Sequence, residues 1–124
     1  MSCQSAAAQT LARLMSEMPR GPRREGAFAL WLTLRVVEDL EPAHGFPERA
    51  TRRRVALLER RLSSLTLVPS IRRALSAALA QLTDDRRDGA AILSQLAASA
   101  REAVAPEAGD AMARAAKEVS KAGR

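Results

Sequence analysis

The sequence has no tyrosine, one cysteine and one histidine, and aromatic side chains make up only 2% of its 124 residues. Each shortage excludes something. A lone cysteine, Cys3, supplies neither a disulfide framework nor a cysteine-rich metal site. Few aromatics leave no stacking platform for single-stranded nucleic acid. Glycine-rich phosphate loops of either common kind are absent. The longest strongly apolar stretch, Ala27 to Leu34, is broken by Thr33 and closed by Arg35, far short of the ~20 residues of a membrane span. The short apolar run Ala6 to Ala8, followed by Arg13, does not read as a secretory leader. The expectation is a reduced, cytoplasmic protein with no membrane span.

What is present is helix-forming. The chain holds 26 alanines and 16 leucines, against six valines and two isoleucines. Alanine and leucine head the helix scale, whereas β-branched and aromatic residues favour sheets. The composition argues against an all-β fold and against a parallel-sheet nucleotide binder. A chain of this length buries about two-thirds of its unfolded surface, enough for one core.

Proline and glycine fall between apolar-periodic segments, as in helices joined by short turns. The first helix is expected at about Ser5 to Met18, with Leu11, Leu14, Met15 and Met18 on one face. Pro19 to Glu25 reads as a solvated loop. The second helix, about 26–40, is apolar nearly all round and is expected to be central and buried. The loop Glu41 to Pro47 carries the only histidine, His44. A third helix is expected from Pro47 to Leu67, with Pro47 at its first position and Val55, Leu58, Leu62 and Leu65 as its stripe. A fourth begins after Pro69 with Ser70 as N-cap, its core face running from Ile71 to Leu82. A fifth begins between Asp84 and Asp88 and a sixth between Pro106 and Asp110. The sixth buries the least per residue, so its docking is expected to be the least secure. The third and fourth helices are expected to pair as an antiparallel hairpin beside the second. The fold class is therefore all-α: one compact domain, 1–124, of five to six helices, frayed at about 1–4 and 121–124.

Charge is distributed unevenly. The net charge is +6, and arginine outnumbers lysine 18 to 2. Residues 1–48 sum to −1 and residues 74–124 to zero, whereas residues 49–73 hold eight arginines and one acid, Glu59, for +7. Such a block bears on partners and not on fold. At 100° per residue, Arg49, Arg53 and Arg60 fall within about 40° of one another, opposite the apolar stripe. Arg52 flanks them on one side, Arg54 and Arg61 on the other. From Arg49 to Arg60 the stripe runs about 16 Å at 1.5 Å rise per residue. Arg72 and Arg73 extend it if the next helix packs alongside.

Four constellations carry the functional question. The basic window is either a solvated face or a docking surface for nucleic acid, for an acidic protein or for a membrane surface. Arg35 inside an apolar helix needs a partner, and Asp39 or Glu38 stands at the right spacing. Phe28 and Trp31, with Met15 and Met18, read as core. Glu41, His44 and Glu48 lie close in sequence, but proline and glycine break any regular ligand spacing. No metal, cofactor or catalytic residue is expected. The function expected is a non-catalytic interaction module: a small adaptor, regulatory or assembly subunit. It docks an acidic macromolecular surface through Arg49, Arg52, Arg53, Arg54, Arg60, Arg61, Arg72 and Arg73. The alternative is a sequence-nonspecific nucleic-acid binder with the same arginines on phosphates. Self-association also fits a bundle whose small side chains bury little area per helix.

Overall fold

The computed structural model describes residues 4–40, 48–84 and 87–122. Cys3, the extreme ends and the loop with Glu41, His44 and Pro47 lie outside the described residues, so the readings made of them do too. The described residues form six helices and no strand: α1 (Ala6–Glu17), α2 (Pro22–Asp39), α3 (Glu48–Ser63), α4 (Pro69–Leu82), α5 (Gly89–Ala103) and α6 (Pro106–Ala122). The expected all-α bundle is observed.

Helix ends follow local chemistry. The Ser5 hydroxyl accepts from the Ala8 N–H at 3.2 Å and starts α1. The Asp88 carboxylate accepts from the Ala91 N–H and starts α5. α2 begins four residues before the expected start, because Pro22 fits the first helical position. Gly21 before it takes φ 156° and ψ −179°, a region essentially reserved for glycine, and makes the turn out of α1. So Pro19 to Glu25 is not all loop. Arg23, in the first turn of α2, donates from Nε to the Val104 carbonyl at 2.8 Å.

α3 ends at Ser63, short of the expected Leu67. The Ser63 and Ser64 hydroxyls each donate to a carbonyl three residues back, at 2.8 Å. The Ser64 and Leu65 amides close tight three-residue turns on Arg61 and Leu62. α4 is capped by Val68 and not by the expected Ser70. Pro69 occupies the first helical position and holds the residue before it extended, at φ −65° and ψ 149°.

α2 is central, as expected: it touches each of the other five helices. It buries Ala27, Ala29, Leu30, Thr33, Leu34, Val36 and Val37. The buried Thr33 hydroxyl is satisfied by the Ala29 carbonyl at 2.8 Å. The most extensive helix–helix contact lies between α5 and α6. The expectation of a weakly docked sixth helix is therefore overturned. Ala108, Ala111, Met112, Ala115, Ala116 and Val119 are all buried. Side chains this small bury little area each, but they let two backbones come close.

Gly109 sets that approach. A Cβ built there would meet the Arg101 Cβ at 2.7 Å and the Ala97 carbonyl oxygen at 3.0 Å, and backbone has no way to yield. Gly109→Ala is expected to destabilise the fold by about 1–2 kcal/mol, overpacking outweighing the better helix propensity of alanine. Gly26→Ala meets only the Val104 Cγ2, at 3.1 Å, and is expected to cost less. Urea unfolding of the two variants measures the difference.

Candidate interaction surface

α3 is the helix with the slightest attachment to the rest, sharing limited contact with α2 and less still with α4. Its inner face buries Thr51, Val55, Leu58 and Leu62. Two arginines reach around that face to grip α2. Arg54 forms an ion pair with Asp39, both side chains partly exposed. The Arg61 guanidinium lies 5.7 Å from the centre of the Phe28 ring. Asp39 ends α2 and Phe28 lies in its first half, whereas Arg54 precedes Arg61, so the two helices run antiparallel.

The Phe28 and Trp31 rings are stacked, 6.1 Å apart and 18° from parallel. Both are half-buried; Trp31, like Met15 and Met18, packs against the core as expected, at its edge. Arg35 lies 4.9 Å from the Trp31 ring centre. A row results: Arg35, Trp31, Phe28, Arg61. Each cation on a ring face is worth about 0.5–1 kcal/mol at a partly exposed site. The pairing of Arg35 with Asp39 expected from spacing is not made. Asp39 faces Arg54 instead, and Arg35 reaches Glu38 only through its charge. The Trp31 Nε1 is buried with no acceptor among the described residues.

The basic window is thus divided by task. Arg54 and Arg61 hold α3 to α2. Arg72, at the start of α4, donates to the Leu65 carbonyl at 2.8 Å and fastens the turn between α3 and α4. Arg49, Arg53 and Arg60 are exposed on the outer face of α3 and, with Arg73 on α4, form no ion pair with a described residue. Arg52 is exposed beside them. Leu57, 52% exposed, sits one turn from Arg53, Arg60 and Arg61.

The slight α3–α4 contact leaves a trough of about 410 Å³ between the two helices, floored by Val55, Leu62, Leu67, Leu75 and Leu79. The expected hairpin packs loosely there. The sequence carried a signal for this. On α4, Leu75 and Leu79 line the trough, but Ser76, Ala80 and Thr83 beside them are too small to fill it, and on α3 Glu59 and Ser63 line the same gap.

A second recess, of about 380 Å³, lies where α1, α2 and α6 meet, and Glu38 faces it with Ser5, Arg114 and Glu118. Half-burial pushes the Glu38 carboxyl above its ordinary value of 4.5, and Asp39 adds to the rise; the Ser5 hydrogen bond and the Arg35 charge oppose it. Among the described residues no group of three or more His, Cys, Asp or Glu is placed to hold a metal ion. No described helix is long and apolar enough to cross a membrane.

A carboxyl whose folded pKa is raised favours folding while protonated. That contribution is full below the unfolded value and is lost as pH climbs through the folded one. Glu38→Gln is therefore expected to raise the melting temperature at neutral pH, with the gain shrinking to nothing below pH 4.5. Thermal melts of both proteins across that range test it. No protein-family model matches this chain, and no curated protein or solved structure matches it either.

Proposed function

We propose that this chain is a non-catalytic interaction module, a small adaptor, regulatory or assembly subunit, that docks an acidic protein surface through the outer face of α3. The observation that carries the reading is the stripe of Arg49, Arg53 and Arg60, exposed and without an ion pair to any described residue, with the exposed Leu57 beside it. Arginine suits such a surface because its planar fork matches carboxylates in two-point contacts. An apolar side chain among the arginines suits a protein partner, whose interfaces join arginine to desolvated apolar contacts. A cytoplasmic setting fits a chain with a single cysteine.

The runner-up is a sequence-nonspecific nucleic-acid binder using the same arginines. The aromatic row weighs against it. Phe28 and Trp31 stack on each other and are faced by Arg61 and Arg35, so their faces serve the fold and not bases.

The test titrates the protein into a labelled duplex of about 20 base pairs and into a labelled acidic peptide, at low salt and at about 0.15 M. Duplex binding is expected at low salt only. Peptide binding is expected to persist at about 0.15 M and to weaken about tenfold or more in the Arg53→Glu, Arg60→Glu double variant. Duplex binding that survives at the higher salt moves the assignment to nucleic acid. Its log–log salt slope would then be near −0.9 per phosphate and flatten with Arg53→Ala and Arg60→Ala. Peptide binding indifferent to both arginines removes α3 from the interface.

A further inference from the structure

Three helix ends meet at one end of the bundle and leave a recess between them. Met15 stands in the last turn of α1, and Arg20 and Gly21 belong to the turn into α2. Arg24, Glu25 and Phe28 come from the first two turns of α2, and Leu65 follows α3. The recess measures about 580 Å³, within the range of roughly 300–1,000 Å³ usual for small-molecule sites. Its apolar residues have surface to offer: Met15, Phe28 and Leu65 are each only partly covered. At Gly21 even an added Cβ would meet nothing within 4 Å, so that wall carries no bulk of its own.

The charges of the lining are free to act on a ligand. Four arginines lie between residues 13 and 24. Arg13 is held by Glu17 and Glu107, and Arg23 by the Val104 carbonyl. The other two, Arg20 and Arg24, make no ion pair or side-chain hydrogen bond with a described residue, and these are the two that line the recess. Glu25 lies beside them, so the lining sums to +1. That balance matches one negative charge. A polyanion such as nucleic acid would bring further charges against Glu25, and it has no aliphatic body for Met15 and Leu65. A pocket made where helices end also offers no length of parallel helices along which a partner helix could lie.

We propose that this recess binds a small amphiphilic carboxylate, one acid group on an acyl or aryl body. The carboxylate lies between Arg20 and Arg24, whose planar forks suit it, and the body covers Met15, Phe28 and Leu65. Arg49, Arg53 and Arg60 take no part in the lining, so the site is separate from the outer face of α3 and goes beyond the docking reading.

The test titrates the full chain with decanoate, below its micelle concentration, and with decanol, decylammonium and acetate. Trp31 is the only tryptophan and stacks on Phe28, so its emission reports occupancy, with calorimetry as a second readout. Decanoate is expected to saturate a single site and to bind about tenfold tighter than any of the other three, since only it brings both charge and body. Thermal melts are expected to rise with decanoate, because a ligand of the native state stabilises it. Replacing both Arg20 and Arg24 with alanine removes no contact of the fold and is expected to weaken decanoate about tenfold while sparing decanol. The Arg53→Glu, Arg60→Glu variant is expected to bind decanoate as the parent does. Decanol or decylammonium binding as tightly as decanoate overturns the proposal, and so does acetate doing so. Affinity indifferent to Arg20 and Arg24 overturns it as well. A melting temperature that falls with decanoate marks detergent action and not a site. A response to phosphatidylglycerol vesicles without one to free decanoate assigns the surface to a membrane and overturns the small-molecule site.

Discussion

The fold depends on how closely its backbones can approach. A chain with 26 alanines, two phenylalanines and one tryptophan cannot fill wide gaps between helices. It gains burial by narrowing the gaps instead. The α5–α6 contact shows how: Ala100, Ala108, Ala111, Ala115 and Ala116 are buried in it or beside it, and Gly109 leaves no room even for a methyl group. Dispersion contacts fall off steeply with small separations, so close approach recovers what side-chain bulk does not supply. α2 extends the same logic along its length, with Gly26, Ala27 and Ala29 buried and every other helix in reach.

α3 obeys a different rule. It carries three of the four members of its expected stripe, Val55, Leu58 and Leu62, and the fourth, Leu65, falls beyond its end. With so short an apolar seam, its remaining attachment is made by long side chains reaching across. Arg54 and Arg61 grip α2 at Asp39 and Phe28. Partly exposed ion pairs and cation–ring contacts of this kind contribute about 1 kcal/mol or less each. They orient α3 more than they bind it. The tight half of the molecule is alanine-rich and the loosely held helix is arginine-rich.

Much of this was legible in the sequence. Six helices, the centrality of α2 and the starts of α5 and α6 followed from proline and glycine punctuation and from apolar periodicity. The errors have physical causes. α6 reads as thin because side-chain size underrates burial where small residues win by proximity. Phe28 and Trp31 read as core because they are large and apolar, and Trp31 does pack against it; that both stop at its edge depends on which face of α2 meets α3, a tertiary fact. Spacing along one helix offers Arg35 either Asp39 or Glu38 and says nothing of other helices. The competing claim of Arg54, fifteen residues away, needed the fold. The position of the outer arginines was readable, since the helical stripe fixed it. Their separation from Arg54, Arg61 and Arg72, which serve internal contacts, was not.

That separation decides what α3 can present. Asp39 and Phe28 on α2 take Arg54 and Arg61, which lie seven residues apart on one side of α3. Seven residues is two turns, so both point the same way. The register that satisfies α2 therefore turns Arg49, Arg53 and Arg60 outward together. The loose contact with α4 that opens the trough has the same origin. α4 presents Ser76 and Ala80 toward α3, and small residues close a gap only when backbones are free to approach. α3 is held by its arginines to α2 and does not follow. The exposed stripe and the open trough are thus two results of one arrangement, a helix fixed by its charges in a bundle packed by its methyl groups.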